Sequence, residues 1–134
     1  MNIRAAVNED LALLSKHDKH IAREELCHAV SLNRVYIVEE NGSFIGWLRY
    51  NLFWDNTPFM NMIYLLEEYR EKGYGKKMVK HWEDQMKAQN YDVVMTSTAS
   101  DEYAQHFYVK SGYRTIGGFT FQNDPYEIIL MKEL

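Results

Sequence analysis

The feature that most limits what this chain can fold into is a strand, a glycine-bearing turn and an amphipathic helix in immediate succession, with another strand behind them. Phe59 to Leu66 is an apolar and aromatic run interrupted by Asn61 alone, as expected of a buried central strand. From Gly75 to Gln89, Met78, Val79, Trp82 and Met86 share one helical face while Lys76, Lys77, Lys80, Glu83, Asp84 and Lys87 fall elsewhere, which predicts a surface helix packed on a sheet. Asp92 to Thr96 then reads as a strand. Strand, helix, strand implies a right-handed crossover between parallel neighbours. Upstream, Val35–Glu40 and Ser43–Phe53 flank Asn41-Gly42, a dipeptide that accepts positive φ at both central turn positions and so closes a tight antiparallel hairpin. A chain carrying both connections must build a mixed sheet, and the expected class is α+β, an α/β arrangement of three layers with helices over one central sheet.

The remaining elements fit around that frame. Ile3 to Ala6 reads as a first strand, Asn8 with Glu9 and Asp10 as a capped, acid-first helix start, and Leu11, Leu13 and Leu14 as the apolar side of that helix. A second helix is expected from Asp18 to Leu32, a short one from Glu102 to Lys110 stopped by Gly112, and final strands at Tyr113–Ile116 and Glu127–Met131. At 134 residues and 46% hydrophobic content the chain suits a single domain over 1–134. With 15 Lys plus Arg against 19 Asp plus Glu, the net charge of -4 supplies no field favouring nucleic acid or an anionic membrane. Cys27 is the one cysteine and cannot form an internal disulfide, and charges interrupt every apolar run well short of a membrane span. A cytoplasmic setting is the expectation.

Between the buried strand and the long helix lies Arg70-Glu71-Lys72-Gly73-Tyr74-Gly75-Lys76, an RxxGxG turn opening into a helix. A helix start presents N–H groups without internal partners and a partial positive charge, and glycines let an anion approach the main chain. Arg70, Lys72, Lys76, Lys77 and Lys80 crowd cations around this turn in an otherwise acidic protein. A nucleotide P-loop is excluded, since one residue separates the glycines and Gly75 is followed by Lys76-Lys77. A dinucleotide fingerprint would need a third glycine where Met78 stands. The bland alternative is that the glycines shape a helix entry and the lysines are solvated.

The segment Ala104-Gln105-His106-Phe107-Tyr108-Val109-Lys110-Ser111-Gly112-Tyr113 follows about thirty residues later. Together with RxxGxG it resembles the GNAT superfamily of acyl-coenzyme A-dependent N-acyltransferases, which pairs a Q/RxxGxG/A loop after its fourth strand with a later AxxFYxKxGF/Y element. The second motif matches at Ala104, Phe107, Tyr108, Lys110, Gly112 and Tyr113, and Leu65 to Arg70 is similar to the family's approach to its loop. The resemblance implies acetyl-coenzyme A as co-substrate. Backbone N–H groups of Gly73, Tyr74, Gly75 and Lys76, with Arg70 and Lys72, would hold its pyrophosphate. The main chain of Leu65 and Leu66 would pair with the pantetheine arm, which in the family lies where two central strands splay. Tyr108 would sit by the sulfur as the acid that protonates the leaving thiolate; its bland reading is a core anchor for the short helix.

Two positions depart from the family pattern. Asp101 stands where many members place an Asn toward the pantetheine; it is able to cap the short helix but cannot donate an amide hydrogen bond. Phe59 to Tyr64 carries no carboxylate to act as general base, which leaves Asp55, His106, Tyr64 through a water, or Glu127. For the acceptor, Trp47, Arg49, Asn51 and Phe53 share a strand face, and Trp54 and Asp55 with Phe59, Asn61, Phe119 and Phe121 suggest an aromatic and acidic pocket for a cationic amine. Arg49 either binds an acceptor carboxylate or pairs with a neighbouring acid. His17, His20, His28 and His81 are spread over polar helix faces without metal-ligand spacing, so no metal is expected. The function this implies is N-acetyl transfer to a primary amine of a small molecule, amino acid or peptide, with no nucleic-acid or membrane partner and with a homodimer compatible. A non-catalytic acyl-coenzyme A sensor or docking module is the competing expectation.

Overall fold

The computed structural model describes all 134 residues. In chain order the elements are β1 (Asn2–Ala5), α1 (Leu11–His17), α2 (Arg23–Ser31), β2 (Val35–Glu40), β3 (Ser43–Phe53), β4 (Thr57–Leu65), α3 (Tyr74–Ala88), β5 (Val93–Ala99), α4 (Ala104–Lys110), β6 (Arg114–Phe119) and β7 (Glu127–Glu133). The seven strands are ordered β1-β2-β3-β4-β5-β7-β6. β4 and β5 are parallel, with Phe59 opposite Met95 and Met60 opposite Thr96, whereas β1–β2, β2–β3, β5–β7 and β6–β7 are antiparallel. The sheet is mixed, as the hairpin and crossover signals require. The chain forms two compact units, Met1–Asn51 with Met62–Met78 and Leu52–Asn61 with Val79–Leu134, and it passes from one to the other within β3, β4 and α3.

In the first unit, Asn41 (φ 52°) and Gly42 (φ 81°) turn the β2–β3 hairpin, so Glu40 faces Ser43. Its core gathers Ala6, Leu14, Leu26, Val30, Val35, Ile37 and Trp47; full burial of a leucine such as Leu14 contributes about 1.5–3 kcal/mol. Two helix starts differ from the sequence expectation. Asn8 does not cap α1, which has no side-chain cap; in the turn before it the Asp10 carboxylate accepts from Val7 N–H at 2.8 Å while Arg4 binds both its oxygens. The second helix begins at Arg23 rather than Asp18, because Asp18 is extended (φ -91°, ψ 103°) and turned inward to partners on β3.

In the second unit, Val79, Trp82 and Met86 of α3, Val94 and Met95 of β5, Tyr108 and Leu130 are buried. β3 and β4 are joined by a turn in which Trp54 (φ 53°) and Asp55 (φ 64°) are both left-handed, unusual for a bulky side chain. β4 departs from the buried-strand expectation: Pro58 and Met60 are buried, but Asn61 is exposed. In the first unit Tyr64 is 39% exposed. An apolar run marks the strand without determining how much of each face is covered.

Candidate functional site

The turn Arg70–Lys76 is built by local backbone geometry. Glu67–Tyr69 form a 3-10 turn after β4, and the chain then passes through Glu71 (φ 60°) and Gly73 (φ 85°) before α3 begins. A left-handed φ at Gly73 favours a residue without Cβ. Apart from the adjoining residues and the helix's own backbone, no atom lies within 4 Å of where a Cβ would stand on Gly73 or Gly75. The Lys77 N–H donates to Gly73 O at 3.3 Å, closing the first turn of α3. The N–H groups of Tyr74, Gly75 and Lys76 precede that bond and have no acceptor within the helix. With bare main chain at two positions and exposed Lys72, Lys76 and Lys77 around it, this 15-residue helix offers a cradle suited to a diphosphate.

Two side chains of the turn have partners of their own. Tyr74 donates its hydroxyl to Glu40 Oε2 at 2.7 Å, and that bond is the main reason the Glu40 carboxyl lies below the usual range and the Tyr74 phenol above it. Tyr74 is thus available to an anion through its N–H. Arg70 donates from Nε to Leu65 O at 2.9 Å and stacks its guanidinium 4.9 Å from the Tyr64 ring centroid. Just past β4, Leu66 N–H donates to Ile45 O at 2.8 Å, and on β3 a Cβ on Gly46 would overlap the Tyr64 carbonyl oxygen. These groups face β3, so alternation turns the N–H and C=O of Leu65 to the other edge. Of the Leu65–Leu66 pair expected to meet an extended arm, Leu66 has its N–H committed to β3.

In the second unit, Tyr108 is buried on α4 beside Tyr113, ring centroids 5.5 Å apart. Burial pushes its phenol up to about 12, and a hydrogen bond with Thr96 works in the opposite direction. Thr96 also donates from Oγ1 to Met60 O at 3.0 Å. Tyr113 donates to Glu83 Oε2 at 2.8 Å and Lys132 to Glu83 Oε1 at 3.0 Å, which anchors the Gly112 turn behind the helix. A phenol with a raised pKa stays protonated at neutral pH, the state an acid must be in before it acts. Asp101 is exposed and does not cap α4. The helix starts three residues later with no side-chain cap, and Gln105 instead ties the turn by donating to Ser100 O and Glu102 O.

The expected acceptor residues divide between the units. In the first, Arg49 is buried and donates from Nε to Asp18 Oδ2 at 2.7 Å, and Trp47 Nε1 donates to the same oxygen at 3.1 Å. Burial alone would raise the Asp18 pKa; the bonds and charge of Arg49, with the His20 N–H and Trp47, outweigh it and hold it low. The guanidinium is therefore committed to a neighbouring acid. Trp47 also stacks on Tyr64 at 4.8 Å, so Asp18 supports the face beside β4, a role that its position at an apparent helix start concealed. Asn51 is exposed. In the second unit the Trp54 ring lies tilted against Phe53, centroids 4.6 Å apart, and Phe53 meets Phe59 at 6.0 Å, with Asp55 and Asn61 exposed nearby in sequence. Phe119 and Phe121 are exposed at and beyond the end of β6. No group of three or more His, Cys, Asp or Glu side chains converges as metal ligands, and no helix is long and apolar enough to cross a membrane.

Residues 4–113 match the model of the acetyltransferase (GNAT) family. A search of curated protein sequences finds no significant match. Among solved structures, Ard1 from Thermoplasma volcanium superposes with a TM-score of 0.84 at 13% identity, over 99% of this chain and 97% of that one. The NatC complex bound to Gag peptide and CoA gives 0.83 at 17% identity, covering 99% and 98%. A GNAT family acetyltransferase from Elizabethkingia anophelis with acetyl-CoA bound gives 0.72 at 20% identity, covering 99% and 97%. These likenesses establish the fold.

Proposed function

Because the chain belongs to the acetyltransferase (GNAT) family, we propose that it transfers an acetyl group from acetyl-coenzyme A to a primary amine of a small molecule, amino acid or peptide, as one domain spanning 1–134. The observation that carries this reading is the start of α3, where Gly73 and Gly75 leave the main chain bare and three N–H donors lack partners inside the helix. That chemistry fits the diphosphate of coenzyme A. When bound, acetyl-coenzyme A supplies an activated acyl carbon and a thiolate leaving group.

The other steps belong to this chain. The N–H groups of Tyr74, Gly75 and Lys76, with Gly73 and the cations of Lys72, Lys76 and Arg70, hold the diphosphate. Arg70 must trade its contact with Leu65 O for that task. The Leu65 N–H meets the extended arm, Asp101 is assigned to the cofactor as well, and Tyr108 gives its phenolic proton to the departing sulfur. The amine attacks directly, and no cysteine nucleophile takes part. Asn51, Trp54, Asp55 and Asn61 line the acceptor side, with an exposed aromatic and a carboxylate suited to a cation. Arg49 contributes at one remove, by fixing Asp18 and Trp47. The peptide in the NatC structure supports keeping peptides within the acceptor class. A reducing, cytoplasmic setting belongs to the same reading, supported by the lone Cys27.

Release of free coenzyme A thiol, followed across a panel of small amines, amino acids and peptides, tests the proposal. Amine-dependent release is the expected outcome. A coenzyme A-dependent rise in melting temperature without thiol release from any amine would instead make the protein a sensor.

A further inference from the structure

In the Gly73-Tyr74-Gly75 turn the tyrosine alone carries a side chain, and Gly73 is held at φ 85°. Glycine has more backbone freedom to lose than any other residue, and that freedom must be given up before several N–H groups can converge on one anion. The Tyr74 side chain is the handle by which the rest of the first unit fixes this stretch. Its hydroxyl donates to Glu40 Oε2 at 2.7 Å, and its ring meets that of Tyr69, in the preceding 3-10 turn, at 6.1 Å. Glu40 is itself firmly placed. It ends β2 opposite Ser43, beside the tight Asn41-Gly42 turn, and its Oε1 accepts from the Met1 amine at 3.2 Å. Glu40 stands 34 residues before Tyr74, outside both sequence motifs.

We propose that Glu40 is a positioning residue for the cofactor: through the Tyr74 hydroxyl it holds the Gly73-Tyr74-Gly75 turn in the conformation whose N–H groups meet the diphosphate. The proposal rests on the reading of this turn as the diphosphate cradle and adds the group that orders it in advance. A carboxylate makes a poor direct partner for a diphosphate, because like charges repel. As an ionised acceptor for a phenol, however, it forms a stronger bond than a neutral oxygen would. The Met1 amine and Lys77 act on the Glu40 charge with the opposite sign. Glu40 therefore anchors the turn from behind rather than touching the ligand. A tether of this kind favours the ground state and the transition state of the bound complex alike, so its loss raises KM and leaves kcat in place.

Three variants separate the tether from the charge. Tyr74→Phe removes the donor, Glu40→Ala removes the acceptor, and Glu40→Gln keeps an acceptor oxygen while losing the charge; melting curves confirm that each is folded. Calorimetry should show coenzyme A binding weakened roughly tenfold in Tyr74→Phe and in Glu40→Ala, and within about twofold of the parent in Glu40→Gln. The Glu40→Ala, Tyr74→Phe double variant should bind no more weakly than either single one, since both remove the same bond. The KM for acetyl-coenzyme A should follow these affinities while kcat stays within about twofold. A second readout needs no ligand. Nitrogen-15 relaxation of the free protein should show the Gly73 and Gly75 amides more mobile in Tyr74→Phe and Glu40→Ala, but not in Glu40→Gln. Parent-like affinity and amide mobility in Tyr74→Phe and Glu40→Ala would overturn the tether while leaving the cradle in place. So would equal losses in Glu40→Gln and Glu40→Ala, which would assign the effect to charge. Failure of the parent itself to bind coenzyme A would overturn the cradle, and the tether with it.

Discussion

At the start of α3 the groups offered to a ligand are main-chain N–H donors and solvated lysines, whereas around Tyr108 the polar atoms are buried and bonded to one another. The first region owes its character to what is missing: no Cβ at Gly73 or Gly75 and no acceptor inside the helix for its first N–H groups. The second owes its character to what surrounds it, since burial raises the phenol to about 12 and Thr96 works against that shift. A binding surface made of backbone is insensitive to most side-chain changes but vulnerable wherever bulk is added. A buried proton donor depends on a single atom and its immediate neighbours.

Substitutions can break that contrast. Tyr108→Phe should have the largest effect, lowering kcat between about 100- and 10,000-fold with affinity for coenzyme A nearly intact; steady-state kinetics beside calorimetry would show the split. Asp18→Ala should act on stability instead, destabilising by about 3–5 kcal/mol in denaturant titrations, because Arg49 would be left buried without its counter-charge. The same pair sets an acid limit. A depressed folded pKa at Asp18 contributes stability above about pH 4, lost as pH falls further, so the melting temperature of Asp18→Asn should fall less steeply on acidification than that of the parent. Gly73→Asp should weaken coenzyme A binding roughly 100-fold or more by placing strain and negative charge at a left-handed position. Gly75→Ala is the finest probe. It should stabilise the free protein by about 0.5–1 kcal/mol as a helix residue yet weaken binding about tenfold by narrowing the cradle. Parallel gains in both would mean that an anion does not approach there.

How much of this was readable beforehand follows the range of the interactions. The Asn41-Gly42 hairpin and the α3 helix, found within one residue of its expected ends, were legible because turn chemistry and periodicity are local. The glycine turn was legible as a helix entry with bare main chain for the same reason. Asp18 was misread as a helix start because its partners, Trp47 and Arg49, lie on a strand 29 and 31 residues away. Thr96 looked like an ordinary strand residue; its bond to Met60, 36 residues earlier, depends on the register of a parallel ladder. Asp101 looked like a cap because the helix was expected two residues too early. The partner of a buried polar group is decided by tertiary register, which a linear pattern does not carry.

The most direct test of the account is an amide-resolved NMR titration of the isotopically labelled protein with coenzyme A. Its central claim predicts that the N–H signals of Gly73, Tyr74, Gly75 and Lys76 shift together and saturably. If coenzyme A bound while those four signals stayed in place, or failed to bind at all, the helix start would not be the diphosphate cradle.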